Sequence, residues 1–299
     1  MSAALLILPN FVLIVLGLAL ARAFDYGRDF WEGLEKLVYY VLFPALLFRS
    51  LAIARIDFAQ AGALVTAACA FTIAGFALSL AAKPLFRLDQ QLHATGSQCG
   101  YRFNTYIGLA VAGSLFGTEG VALAALLLGV MIPLANFCAV AVLAAHSERG
   151  FLPELARHPL VLSSLAGFAW NLVGPPLPGF ADLTLALLGQ TALPAGLLSV
   201  GAAMRIERGQ GSPGAHAWWL AVKLLAVPAI AFALARWMSA GVLESGVLIL
   251  CAALPTATNA YILAVRMTGD GRAVAMQVTI GTVLSMATLS LWLMAAGAR

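Results

Sequence analysis

The chain alternates long apolar runs with short polar connections. Ten runs stand out: Ala3–Arg22, Leu34–Ala52, Phe58–Ala82, Gln91–Phe116, Gly120–Ala145, Leu160–Val173, Leu183–Met204, Ala217–Met238, Val242–Arg266 and Ala273–Ala296. Most come close to the roughly 20 residues a helix needs to cross a bilayer core. The sixth is short. The Gly-Pro-Pro-Leu-Pro-Gly stretch from Gly174 to Gly179 ends it, because prolines so dense cannot continue a helix.

Two runs turn polar at their centres. The ninth holds Leu254-Pro255-Thr256-Ala257-Thr258-Asn259-Ala260-Tyr261. Proline removes a backbone donor and frees the carbonyl one turn earlier. At membrane depth a freed group is tolerated only inside protein or beside a polar cavity. This stretch alone reads equally as a kink satisfied by threonine hydroxyls or as a broken helix at a transport site. The fourth run contains His93-Ala94-Thr95-Gly96-Ser97-Gln98-Cys99-Gly100-Tyr101-Arg102-Phe103-Asn104-Thr105-Tyr106, with glycines at 96 and 100 and no proline. Glycine weakens a helix and lets another backbone approach.

Composition fixes the class. Of 299 residues, 62% are hydrophobic and 10% charged, whereas soluble domains carry about 25% charged residues. The pattern predicts an all-α polytopic membrane protein whose first partner is the lipid bilayer. The net charge of +4 is no argument for nucleic acid, since excess Lys and Arg in such a chain marks cytoplasmic loops. With the N-terminus outside, eleven basic residues fall on cytoplasmic connections and four outside, with Arg102 and Lys223 left inside runs. The positive-inside rule then places both termini on the periplasmic or extracellular side of the cell inner membrane. The first run has no positive residue before it and reads as a first transmembrane helix, not a cleaved signal. Cys69, Cys99, Cys138 and Cys251 lie in apolar runs without CxxC spacing and read as small buried hydrophobes.

An internal repeat follows. Phe43-Pro44-Ala45-Leu46-Leu47 in the second run resembles Leu193-Pro194-Ala195-Gly196-Leu197 in the seventh, and Asn104-Thr105-Tyr106-Ile107 in the fourth resembles Asn259-Ala260-Tyr261-Ile262 in the ninth. The unit is five helices. Five is odd, so the second copy must be inverted in the membrane, a design common in secondary transporters. The domains expected are 1–145 and 160–299, joined by a short cytoplasmic linker at 146–159. Broken helices 4 and 9 would cross at the midplane, their half-helix N-termini directed at one point that favours an anion.

The substrate-binding candidates follow from that crossing. Asn104 and Asn259 each offer an acceptor and two donors, or else an interhelical hydrogen bond that locks packing. Thr105, Thr256 and Thr258 offer hydroxyls, unless these bond back to their own helix. Tyr106 and Tyr261 line the cavity or cap the crossing. Pro255 makes the break. Arg102, well inside a run, either grips a carboxylate through its guanidinium or snorkels or pairs structurally. Asn136 and Gln277 lie on runs five and ten at the expected cavity rim. Lys223 could pair with a carbonyl and receives no role. Pro44 and Pro194 shape the scaffold. The four histidines, His93, His146, His158 and His216, fall near run ends and read as interfacial. Metal ligands, cofactor motifs and enzyme signatures such as HExxH or GxSxG do not occur, so an enzyme is not expected. No acidic residue lies at mid-membrane, which disfavours a carboxylate proton relay. Sodium or proton coupling stays open.

These residues resemble the auxin efflux carrier family over essentially the whole chain. The carrying segments are Lys36 through Phe48, Asn104-Thr105-Tyr106-Ile107-Gly108-Leu109, Leu193-Pro194-Ala195 through Gly201, and Leu254-Pro255 through Ala264 followed by Gly269-Asp270. The resemblance implies ten transmembrane helices in two inverted five-helix repeats, related to the bile-acid sodium symporter fold. It implies a scaffold of helices 1, 2, 6 and 7, a mobile domain of helices 3–5 and 8–10, a homodimer and elevator-like motion. It also implies a small organic anion as substrate, such as malonate or an auxin-like acid. The long loop of the plant members is absent, and so is their proline near Asn104. A channel and a non-transporting receptor for a small anion are the competing readings.

Overall fold

The computed structural model of the chain describes residues 3–24, 26–53, 58–143, 159–204, 212–257, 260–261, 264 and 271–297. Among these residues every regular element is helical. In chain order they are α1 (Ala3–Ala23), α2 (Arg28–Leu37), α3 (Phe43–Ala52), α4 (Phe58–Leu80), α5 (Ala82–Phe86), α6 (Gln90–Ser97), α7 (Thr105–Leu143), α8 (Pro159–Val173), α9 (Gly179–Ala203), α10 (Pro213–Ala221), α11 (Val227–Trp237), α12 (Val242–Ala253) and α13 (Arg272–Ala295).

Two pairs of these form continuous rods. One π-helical turn, Val38–Leu42, joins α2 to α3, and another, Val222–Ala226, joins α10 to α11. Each is followed two residues later by a proline, Pro44 or Pro228. A proline has no N–H for the usual bond one turn back. The preceding turn widens, and the N–H of Phe43 reaches Val38 while that of Val227 reaches Val222. The fourth and fifth apolar runs also connect directly: α7 continues through a bend at Gly117, where φ is 61° and ψ −151°. An L side chain rarely adopts that backbone, so glycine is required there.

Among the described residues, five helical stretches are long and apolar enough to cross a membrane: Ala61–Phe86, Gln90–Ala139, Gly179–Ala203, Pro213–Trp237 and Arg272–Ala295. The outer surface is correspondingly apolar, with Phe180 79% and Trp237 83% exposed. Such a surface suits lipid and would be a liability in water. The chain is a multi-pass membrane protein.

The helices pack in two groups. In the first, α1 lies on α9 and α8 lies on α3. Both contacts use glycine for close approach: a methyl at Gly201 would strike the Ile14 carbonyl, and one at Gly167 would strike the Phe48 backbone. This small-residue packing replaces the hydrophobic drive that lipid cannot supply. In the second group, α12 packs on α11, α7 and α13, while α4 packs on α7 and α11. Indole N–H groups pin it together. Trp218 donates to the Leu78 carbonyl at 2.8 Å, Trp219 to Ser79 at 3.1 Å and Trp292 to Leu224 at 3.0 Å.

Candidate functional site

The site is where two interrupted helices meet inside the second group. α6 starts on Asp89, whose carboxylate accepts from the Leu92 N–H at 2.8 Å. It tightens into a 3₁₀ turn at Gln98–Gly100, and Tyr101 through Asn104 are not helical. The Asn104 side-chain oxygen then accepts from the N–H groups of Tyr106 at 3.0 Å and Ile107 at 3.2 Å. Asn104 is therefore the N-cap of α7, satisfying donors that a helix start leaves orphaned. That oxygen is spent. What Asn104 can still offer a ligand is its amide NH₂.

The second interruption follows α12. Leu254 is extended (φ −58°, ψ 140°), and the chain stays non-helical through Ala257 before becoming helical again at Ala260 and Tyr261. The two breaks satisfy each other. The Asn104 N–H donates to the Pro255 carbonyl at 2.8 Å, and the Thr256 hydroxyl donates to the Cys99 carbonyl at 2.7 Å. Asn104, Thr256 and Leu254 are all buried. These reciprocal bonds are the internal partners that broken backbone needs at membrane depth. Thr256 thus bonds across the crossing, not back to its own helix.

Two buried basic side chains, Arg102 and Lys223, flank the crossing. The Arg102 guanidinium donates to the Gln98 side-chain oxygen and to the Asn136 side-chain oxygen, each at 3.0 Å. Both acceptors are neutral amides, so neither cancels the charge. Lys223, 2% exposed, lies in the π turn between α10 and α11. Its ammonium donates to the Ala252 carbonyl at 3.0 Å, in the last turn of α12 where the break leaves carbonyls without helical donors. It also sits 6.0 Å from the Phe103 ring centre, in the other break. Among the described residues no Asp or Glu is buried.

The other expected residues divide. Thr105, half-buried, opens α7 beside the cap. Tyr106 stacks on Phe43, with centroids 4.6 Å apart and planes 12° from parallel, and so joins the crossing to α3. Tyr261 packs against Cys99, Ala260, Ala264, Val274 and Val278. Asn136 belongs to the crossing through Arg102. Gln277 does not: its amide donates to the His216 carbonyl at 3.0 Å and bonds the His216 ring nitrogen at 2.9 Å. Thr258 and Asn259 lie outside the described residues. Of the histidines expected near run ends, His93 and His216 lie in the first turns of α6 and α10; both are buried, and the His216 and Trp219 rings are 5.8 Å apart. His146 and His158 are outside the described residues.

Lys223, Gln98, Phe103 and Phe43 were not picked out as site residues from the sequence. Lys223 carried a signal, a lone charge in an apolar run. The others carried none, because an amide or phenylalanine acquires its role only from what folds against it.

A family model described as "Membrane transport protein" matches residues 3–148 and 143–293. The chain belongs to that family. It is the auxin efflux carrier family that the sequence resembles. A protein of Rhizobium meliloti (strain 1021) named "Putative malonate transporter" is 27% identical, over 98% of this chain and 96% of its own length. An "Uncharacterized transporter" of the archaeon Methanothermobacter thermautotrophicus is 24% identical, over 96% of each chain. The family and these relatives are transporters, not enzymes.

Proposed function

We propose that this protein is a secondary transporter for a small organic anion, a carboxylate of the malonate or auxin-like kind, held at the crossing of the two broken helices. The observation that carries this reading is the reciprocal bonding of the breaks, Asn104 N–H to Pro255 and Thr256 hydroxyl to Cys99. It brings the capped start of α7 against the break that follows α12. Helix starts carry partial positive charge and suit anions. The buried cations Arg102 and Lys223 stand beside the helix ends, where carbonyls point, and balance their negative character. Arg102 acts in this reading mainly by its field, since two of its donor positions are held by Gln98 and Asn136.

The wider architecture proposed is ten spans in two inverted five-helix repeats, in the inner membrane with both termini outside. Helices α1, α3, α8 and α9 form the scaffold, and the second group is the mobile unit. The pairing supports this: α1 lies on α9 as α8 lies on α3, the exchange a two-fold relation between halves would produce. Tyr106 stacked on Phe43 is the contact that an elevator-like movement would have to break and remake. A homodimer through the scaffold fits the same scheme, and the coupling ion is sodium or a proton.

Purified protein in liposomes tests the transport reading. Saturable uptake of labelled malonate, dependent on an imposed sodium or proton gradient, is expected. Unsaturable conductance would establish a channel, and tight binding without flux a receptor. If no small carboxylate binds or moves with or without sodium across pH, the anion reading fails.

A further inference from the structure

We propose that Lys223 sets the charge preference of the crossing, making it a site for a doubly charged anion in preference to a singly charged one. This rests on the crossing being the anion site. It concerns a residue on neither broken helix that meets the last turn of α12 and lies near Phe103 in the other break. Its ammonium donates to the Ala252 carbonyl at the end of α12 and faces Phe103 in the break before α7. An ammonium has three donors. Among the described residues one is used, and no carboxylate pairs with it. At 2% exposure water does not screen it, so its field reaches further than a surface charge would.

A packing role alone does not explain this arrangement. A carbonyl at a helix end can be met by a neutral donor at much lower desolvation cost than a buried ammonium. Buried charge in a membrane helix is expensive and normally faces a pathway or a partner. Here the charge of a substrate at the breaks would complement it from a distance. Lys223 is accordingly a positioning residue that acts through the field at the breaks, without a direct grip on the anion.

A series of nearly one shape and graded charge tests this. Malonate, its half-amide and malonamide carry charges of −2, −1 and 0 at neutral pH. Binding of each is measured by calorimetry on the full-length protein in detergent, for wild type, Lys223→Met and Lys223→Arg. A field effect scales with ligand charge, so Lys223→Met should weaken the half-amide about threefold and malonate about tenfold, the square of the first factor. Any binding of malonamide should be unchanged, and Lys223→Arg should stay close to wild type. Equal losses for malonate and half-amide would mean a packing defect and overturn the proposal. If Lys223→Met does not yield folded protein, Lys223→Gln takes its place with the same expected losses, and parity between malonate and its half-amide in wild type overturns the proposal. Absence of binding by wild type for all three strikes the carboxylate reading itself. Binding with equal losses removes only the role of Lys223.

Discussion

The two breaks do the same job by different means. The one before α7 has no proline. It is opened by the 3₁₀ turn at Gln98–Gly100, closed by the Asn104 cap, and braced by its own Arg102, which reaches back to Gln98 and across to Asn136. The one after α12 has Pro255 and a cation borrowed from another helix, Lys223 on Ala252. Their common feature is the pair of bonds between them. The difference teaches that proline is one way to start an interruption and that mutual satisfaction of backbone groups is what keeps it.

Asn104 offers the strongest way to break that symmetry. Asn104→Leu removes the cap, costing about 1–2 kcal/mol of stability, and should abolish measurable transport. Asn104→Asp is the sharper variant. Aspartate caps as well as asparagine, so the thermal midpoint should hold while anion binding falls steeply under the added negative charge. If Asn104→Asp binds malonate like wild type, the start of α7 is not the anion site. Next in size is Arg102→Gln, expected to weaken malonate binding by about tenfold or more. Retained affinity in a binding assay would remove Arg102 from substrate recognition and leave it a brace.

Thr256→Val should act mainly on stability. It leaves the buried Cys99 carbonyl without its cross-break donor, a loss of about 1–3 kcal/mol, seen as a lower unfolding midpoint, and Thr256→Ser should restore it. The smallest effect is expected from Pro255→Ala. The other break persists without proline, so transport rates should stay within about twofold of wild type. Loss of transport in Pro255→Ala would show that the proline, and not the cross-bonding, maintains the second break.

Much of this was legible in the residues. The apolar runs with 10% charge predict membrane helices, and polar residues in the centres of runs four and nine mark where those helices are interrupted. Asn104 stood out because an asparagine there costs energy unless it is used. The side-chain oxygen caps its own helix, a role that depends on where the helix restarts. Gln277 was placed at the cavity rim because it is polar and on the right run. The face of α13 that carries it turns toward His216, and periodicity in an almost uniformly apolar helix gives no direction. His93 and His216 do lie at helix starts, but that both are buried depends on the helices folded over them.

By itself the sequence determined that the chain is a multi-pass membrane protein and where two of its apolar runs break, because both follow from local chemistry: burial of apolar side chains in lipid and the missing N–H of proline or the flexibility of glycine. The tertiary structure alone decided that the two breaks bond to each other, that Lys223 from a third helix lies between them, and that Arg102 is held by Asn136. Those facts depend on contacts between residues 29 to 157 positions apart, and no local preference encodes a partner at that distance.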